Sequence, residues 1–169
     1  DLSFSCKKCE MPASVMNKQD QYKIIRAVFV FPKGVQRMSQ AMKGLVETSN
    51  NMAIVKCIKG DFQVHNLCRS SVNTSKESTA WRIAAVFHLI DAKVTMSGGY
   101  PGWNPNMASP ILKVMSGIYK KMFGTEPETK AIHAGLECAI IGGVYPNLDM
   151  ISFGPTIKYP HSPDEKVNI

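Results

Sequence analysis

Val46–Ile58 reads V-E-T-S-N-N-M-A-I-V-K-C-I and is followed by K-G-D at positions 59–61 and by F-Q-V-H-N-L-C at Phe62–Cys68. The β-branched neighbours Ile54 and Val55 favour a strand in the first run. The Gly of K-G-D favours a tight turn, after which the second run returns along the first. The sequence therefore predicts a β-hairpin here, and the other elements are placed relative to it.

Helical spacing appears on both sides of the hairpin. Before it, a helix starts after the N-cap candidate Asn17, and after it another starts at the capping-box pair Thr74 and Glu77. The apolar face predicted for the first helix carries Tyr22, Ile25, Val28 and Phe29. The buried stripe predicted for the second carries Trp81, Ala84, Ala85, His88 and Leu89.

Two further strands are predicted at the outer ends of this part, from Leu2 to Cys6 and from Lys93 to Met96. The order of elements up to residue 99 is then strand, helix, strand, strand, helix, strand. This is the βαββαβ order of ferredoxin-like folds, so an α+β unit is expected.

The sharpest change of composition lies at S-G-G-Y-P-G-W-N-P-N, positions 97–106, where glycines and prolines interrupt the chain. A domain boundary is predicted here, between residues 1–99 and 100–169. Beyond it, Ser109 and Pro110 begin a helix that ends at Gly124. Short elements follow, namely a strand at Thr129–Ile132, a helical turn at Leu136–Ile141 and a buried strand at Met150–Phe153. This alternation indicates α/β packing, and the fold class of the whole chain is α/β.

Charge differs between the two parts and argues against some functions. Residues 1–99 hold 14 Lys and Arg against 7 Asp and Glu, whereas residues 100–169 hold 6 of each kind, which together give the net charge of +7. The basic residues are dispersed rather than clustered, and stacking aromatics are not interleaved with them, so nucleic-acid binding is not expected. A basic surface that attracts small carboxylate-bearing ligands fits the same composition.

Compartment and cysteine chemistry can also be inferred. No apolar run approaches the roughly 20 residues needed to span a bilayer, and the N-terminal residues do not form a signal peptide, so a cytoplasmic protein without membrane contact is expected. The absence of an initiating Met suggests an excised segment. Five scattered cysteines favour free thiols over disulfides. The Cys6-Lys7-Lys8-Cys9 spacing suits a zinc knuckle, but no second ligand pair follows, and two free thiols are the alternative.

Candidate site residues are concentrated between His133 and Glu165. His161 lies between Pro160 and Pro163, which restrict the backbone and can aim the imidazole at a metal; a surface-loop histidine is the alternative. Asp164 or Glu165 could then accept a hydrogen bond from the ring. Glu137 either lines a pocket or stabilises a helix N-terminus.

Three more residues complete the candidate set. Arg69 ends the returning strand and can bind a carboxylate through two parallel hydrogen bonds, with a surface salt bridge as the alternative. Gly135 allows a close approach of its backbone to a ligand. His133 is singled out without an assigned role. His65 and His88 lie on periodic faces and are expected to be core or half-buried.

The chain lacks the residues for a complete hydrolytic metal centre. Its sequence contains no His-x-Asp, no Glu-Glu pair and no spare cluster of aspartates. A co-catalytic metal site needs several such ligands, so these residues alone are not expected to build one.

Several motifs resemble those of the aminoacyl-histidine dipeptidases, which are di-zinc metallopeptidases of the Xaa-His dipeptidase or carnosinase type. The similar stretches cover essentially the whole chain in order: V-E-T-S (46–49), L-C-R-S-S (67–71), Y-P-G-W (100–103), H-A-G-L-E-C (133–138), D-M-I-S-F-G-P-T-I (149–157) and P-H-S-P-D-E (160–165). Ala139 departs from the family, where Gly is expected. The resemblance implies the C-terminal part of such an enzyme, cut across its lid and catalytic domains.

The resemblance also implies roles for single residues. Residues 1–99 would be the later part of a lid that also mediates homodimerisation, and residues 100–169 would return to the catalytic domain. His161 would bind zinc, Arg69 and the Gly135 amide would hold the C-terminal carboxylate of a dipeptide substrate, and Glu137 would line the pocket. The other zinc ligands, the general base and an oxyanion-stabilising histidine would lie outside this chain, which is expected to be inactive alone.

Two other functions remain open from the sequence. One is a related di-zinc peptidase or deacylase that acts on other dipeptides or on acylated amino acids. The other is a non-catalytic dimerisation module derived from the lid.

Overall fold

The computed structural model describes residues 3–104, 106–131, 133 and 137–168. Its four helices and five strands within these residues are α1 (Lys18–Val30), β1 (Gly34–Met38), β2 (Val46–Ile58), β3 (Asp61–Ser70), α2 (Asn73–His88), α3 (Pro110–Phe123), α4 (Glu137–Val144), β4 (Ile157–Lys158) and β5 (Lys166–Val167). Helices and strands are both well represented, so the predicted α/β class is confirmed.

The hairpin predicted around Lys59 and Gly60 is confirmed. β2 and β3 pair antiparallel from Thr48↔Ser70 to Ile58↔Asp61, with one irregularity between Met52 and Ile54. Both turn residues have positive φ, 51° at Lys59 and 84° at Gly60, which suits a tight hairpin turn. This hairpin forms the centre of a three-stranded sheet of order β1-β2-β3.

The ferredoxin-like order is not found in the described residues. The segment from residue 3 to Cys6 and the segment Lys93–Met96 form no strand, and Leu2 lies outside the described residues. Instead β1, which the sequence did not predict, pairs antiparallel with β2. The edge of the sheet beside β2 is therefore filled by the segment that directly follows α1, and the order becomes helix, three strands, helix.

A small apolar core joins α1 to α2. Ala27 and Phe31 from the end of α1, and Ile83 and Ala84 from α2, are buried, and Phe31 is only 1% exposed. The Phe31 ring packs against Phe87 at a centroid distance of 5.5 Å. Most of the chain's larger apolar side chains remain outside this core.

The predicted apolar faces of these two helices are largely wrong. In α2 only Ala84 of the expected stripe is buried, whereas Trp81 is 64% exposed and Leu89 is 84% exposed. In α1 the expected Tyr22, Ile25 and Phe29 are exposed and Ala27 is buried instead. The periodicity identified apolar residues but not the face that meets the neighbouring helix.

The caps of the two helices differ in outcome. Asn17 caps α1 as predicted, because its side chain accepts a hydrogen bond from the Asp20 N–H. The capping box predicted at Thr74 and Glu77 is wrong, because the N-cap of α2 is Val72 and no side chain caps it.

The sheet carries a layer of buried polar side chains beneath α2. Thr48 Oγ1 and Ser70 Oγ lie 2.8 Å apart, and Glu47 Oε1 accepts a hydrogen bond from Ser75 Oγ at 3.1 Å. Arg37 Nε lies 3.3 Å from the same Glu47 oxygen. Among the described residues no buried side-chain polar atom lacks a hydrogen-bond partner. This layer therefore joins the first turn of α2 to the sheet by directional contacts.

The glycine-rich segment after α2 is packed against the start of that helix. The Gly102 N–H donates to Asn73 Oδ1 at 2.7 Å, and Lys76 Nζ donates to the Tyr100 carbonyl. A Cβ at Gly102 would lie 2.7 Å from the Ser70 carbonyl oxygen and still closer to that of Ser71. The segment is thus fixed at a close backbone approach that only glycine permits.

Beyond this segment α3 begins and ends as predicted. Ser109 is its N-cap and donates through Oγ to Asp149 Oδ2 at 2.9 Å, and the same oxygen accepts the Ile111 N–H. Gly124 ends the helix in the left-handed conformation. Asp149 therefore ties the N-terminus of α3 to the segment after α4.

The remaining C-terminal predictions are mixed. The helical turn predicted at Leu136–Ile141 appears as α4 over Glu137–Val144, with Leu136 outside the described residues. The strand predicted at Met150–Phe153 is absent, and so is strand structure at residues 129–131; Ile132 lies outside the described residues. The two short strands that do occur, β4 and β5, pair antiparallel near the C-terminus. No described helix combines the length and apolar character that a bilayer crossing requires.

Candidate substrate-carboxylate site

Arg69 lies one residue before the end of β3 and faces Ser49 of β2 across the antiparallel ladder. The flanking pairs Thr48↔Ser70 and Asn50↔Cys68 are turned the other way, because successive residues of a strand alternate between its faces. The Arg69 side chain is exposed. Within the described part of the chain no carboxylate forms an ion pair with it, so the surface salt bridge considered as an alternative is not found there.

His133 is brought to the same place from a distant part of the sequence. Its Nε2 atom lies 2.9 Å from Ser49 Oγ, a hydrogen bond across 84 positions. Partial burial, and secondarily the nearby charge of Arg69, hold the pKa of His133 below its ordinary value of 6.5. The imidazole is therefore neutral at neutral pH and lies close to a cation. Ser49, Arg69 and His133 are called the Arg69 cluster below.

Sequence reasoning selected Arg69 and His133 separately but missed Ser49. Ser49 belongs to the V-E-T-S stretch and carries no charge or unusual spacing that would mark it. A regular hairpin continued from Ile58↔Asp61 would place position 50 opposite position 69, and only the irregularity between Met52 and Ile54 brings Ser49 opposite Arg69.

Glu137 and Gly135 have different outcomes. Glu137 is the first residue of α4 and is exposed, so its carboxylate lies at the end of the helix where negative charge is favourable. Gly135 lies outside the described residues. Among the described residues no hydrogen bond or ion pair joins Glu137 to the Arg69 cluster. That Glu137 lines a substrate pocket therefore stays a prediction.

His161 occupies the turn between β4 and β5. The turn is tight, with positive φ at Tyr159 (54°) and at His161 (64°), and Ser162 Oγ donates to the Tyr159 carbonyl at 2.9 Å. Glu165 Oε2 accepts the His161 backbone N–H at 3.0 Å, whereas a contact to the ring was expected. The side chain is exposed, and no hydrogen bond to its ring occurs within the described residues. The imidazole is therefore available to a ligand.

The described residues do not gather a metal centre. No group of three or more His, Cys, Asp or Glu side chains comes together among them. No hydrogen bond among these residues joins His161 to the Arg69 cluster. Cys6 and Cys9 are both exposed, and all five cysteines are free thiols. His65 and His88 are exposed, so their expected burial is wrong.

Known proteins resemble this chain in sequence and in structure. It is 40% identical over 145 residues to the cytosol non-specific dipeptidase of Escherichia coli (strain K12), an alignment that covers 86% of this chain and 30% of that protein. It also matches the crystal structure of aminoacylhistidine dipeptidase from Vibrio alginolyticus with a TM-score of 0.82 and 40% identity, over 94% of this chain and 32% of that one. No protein-family model matches the chain.

These similarities confirm the resemblance to aminoacyl-histidine dipeptidases that the motifs indicated. The chain spans about a third of the length of the dipeptidases it matches. The relatives are hydrolases of dipeptides, and the similarity extends over nearly all of the present residues.

Proposed function

We propose, from this resemblance, that the chain is the C-terminal part of a zinc-dependent dipeptidase that hydrolyses Xaa-His dipeptides. Residues 1–99 would be the later part of its lid, and residues 100–169 the segment that returns to its catalytic domain. The single observation that supports the site best is the Arg69 cluster, where an exposed guanidinium has no acidic partner among the described residues. Such a group suits the free carboxylate of a dipeptide.

Each proposed contact uses a different property of its residue. The planar guanidinium of Arg69 would donate two parallel hydrogen bonds to the C-terminal carboxylate of the substrate. The Gly135 amide would hold the same end, and Glu137 would line the pocket beside it. Together these groups would orient the dipeptide and leave the scissile bond to residues contributed from elsewhere.

Zinc requires more ligands than the described part of this chain brings together. His161 suits one position, because its ring is exposed and its backbone is fixed by the turn and by Glu165. A complete pair of ions needs further histidines and carboxylates, which these residues do not gather. When bound, zinc polarises the substrate carbonyl and activates water. This chain's own share would be one nitrogen ligand and part of the substrate grip.

An activity assay tests the proposal. A longer polypeptide that includes this chain and matches the relatives in length should hydrolyse β-alanyl-histidine and other Xaa-His dipeptides, lose activity with a chelator and regain it with zinc. The 169-residue chain alone should remain inactive with added zinc. Zinc-dependent turnover by the chain alone would refute the proposed division of the site.

The role of His161 has a separate readout. His161→Ala in the longer polypeptide should reduce the bound zinc measured by elemental analysis, because one nitrogen ligand is lost. His65→Ala is the matched control, since His65 is also exposed but lies on β3. Full zinc content in the His161 variant would remove His161 from the ligand set.

Broader specificity is the second candidate. The Escherichia coli relative is described as a non-specific dipeptidase, which favours a wider range of substrates than Xaa-His. A panel of dipeptides and acylated amino acids assayed on the longer polypeptide separates the two. Equal kcat/KM for dipeptides with and without a C-terminal histidine would favour the broad enzyme.

The lid is also proposed to support a homodimer in a cytoplasmic enzyme. The exposed apolar side chains of α1 and α2, such as Phe29 and Trp81, leave surface for such a contact. Sizing of the longer polypeptide in solution tests it. A folded dimer of residues 1–99 without any activity of the longer form would instead favour the non-catalytic dimerisation module.

A further inference from the structure

We propose that Ser49 and His133 are positioning residues that hold the Arg69 guanidinium in place for the substrate carboxylate. This inference rests on the proposed function and adds two side chains to the proposed carboxylate site. It is carried by the hydrogen bond between Ser49 Oγ and His133 Nε2 and by the register that places Ser49 opposite Arg69.

The geometry puts the three side chains on one face of the sheet. Residues that face each other in an antiparallel ladder project to the same side, with Cβ atoms about 5 Å apart. Ser49 and Arg69 form such a pair. The His133 ring, bonded to the Ser49 hydroxyl, therefore lies near Arg69, whose charge acts on it. We expect the ring to limit the directions that the Arg69 side chain can take.

The neutral state of His133 suits this role. A carboxylate in place of His133 would neutralise Arg69 and compete with the substrate carboxylate. A second cation there would repel the Arg69 guanidinium. Partial burial and the Arg69 charge together hold the pKa of His133 low, so the imidazole remains uncharged. The ring can thus confine the guanidinium without neutralising its positive charge, which remains available to the substrate carboxylate.

The hydrogen bond also joins two distant parts of the chain. Ser49 lies in β2 of the sheet, and His133 lies in the segment between α3 and α4. A contact that fixes an arginine before the ligand arrives lowers the entropy lost on binding. Loss of the contact should therefore weaken substrate binding while the chemical step is preserved.

Kinetics of the longer polypeptide test the inference. His133→Ala and Ser49→Ala should each raise KM for a dipeptide with a free carboxylate about tenfold and leave kcat within about twofold. The KM for the matching dipeptide amide, which lacks the carboxylate, should not change. His133→Gln and Ser49→Thr keep a group that can form the hydrogen bond and should retain most of the affinity.

Controls and a double-mutant cycle make the result decisive. His65→Ala and Ser78→Ala, at exposed positions away from the cluster, should leave KM unchanged. In an Arg69→Ala background His133→Ala should add little, because its effect acts through Arg69. An unchanged KM in His133→Ala, or equal losses for the free acid and the amide, would overturn the inference. An inactive wild type would instead overturn the proposed function.

Discussion

His133 is the residue whose environment says most about the candidate site. Its contact with Ser49 spans 84 positions, and its pKa is lowered by burial and by Arg69. Neither the contact nor the pKa shift can be inferred from the local sequence H-A-G-L-E-C, which marked His133 as a candidate without assigning it a role. The motif marked the right residue, but its partner depends on the register of a hairpin far away in the sequence.

The titration of His133 reports how close its ring lies to Arg69. In NMR spectra recorded against pH, His133 should titrate below 6.5. Arg69→Gln should raise the pKa of His133, because a nearby cation disfavours the imidazolium, but partial burial should still keep it below 6.5. A pKa for His133 that does not respond to Arg69→Gln would contradict the proximity of the two side chains.

The same shift gives the stability a pH dependence of known sign. Well above pH 6.5 the His133 ring is neutral in both the folded and the unfolded chain, so its protonation does not change the free energy of unfolding. As the pH falls through 6.5, the unfolded chain takes up a proton more readily than the folded chain. The His133 contribution should therefore lower the free energy of unfolding below pH 6.5, and a His133→Gln variant should lack that part of the decrease.

At the scale of elements, the sequence predicted well where local chemistry decides the outcome. The limits of β2, the start of α1 at Asn17 and both ends of α3 were correct, because turns, caps and proline act within a few residues. The strands at Lys93–Met96 and Met150–Phe153 were wrong. A strand needs a partner, and partners are set by the whole sheet rather than by β-propensity.

The close backbone packing at Gly102 predicts that a side chain at this position lowers the stability of the fold. Gly102→Ala should lower the free energy of unfolding by about 2 kcal/mol, because the new Cβ would overlap the backbone carbonyls of Ser70 and Ser71. Gly99→Ala is the matched control from the same segment, because a Cβ at position 99 meets nothing within 4 Å. It should change the free energy of unfolding by less than about 0.5 kcal/mol. Urea denaturation measures both. Equal effects of the two substitutions would show that the close approach at Gly102 contributes nothing.

At the scale of the whole molecule, the exposed area is large for the mass. The chain exposes 13843 Å², whereas a folded monomer of 18.7 kDa is expected to expose about 8,300 Å². No residue of α3 is buried, and its apolar face, which carries Ile111, Ile118 and Met122 at helical spacing, is 39%, 46% and 69% exposed at these positions. The side chains that would cover this face are not supplied by the described residues.

The exposed apolar face of α3 suits burial against further residues of a longer polypeptide. A polypeptide that matches the dipeptidases in length should cover the apolar face of α3, because burial of its Leu and Met side chains is favourable by about 25 cal/mol per Å². Methionine oxidation followed by peptide mass spectrometry can measure the change. Met122, which is 69% exposed, should react readily in the 169-residue chain and be strongly protected in the longer polypeptide, while Met11, 91% exposed in the segment before α1, serves as the reference. Equal reactivity of Met122 in both forms would mean that α3 stays uncovered, and the proposed place of residues 100–169 inside a catalytic domain would then be wrong.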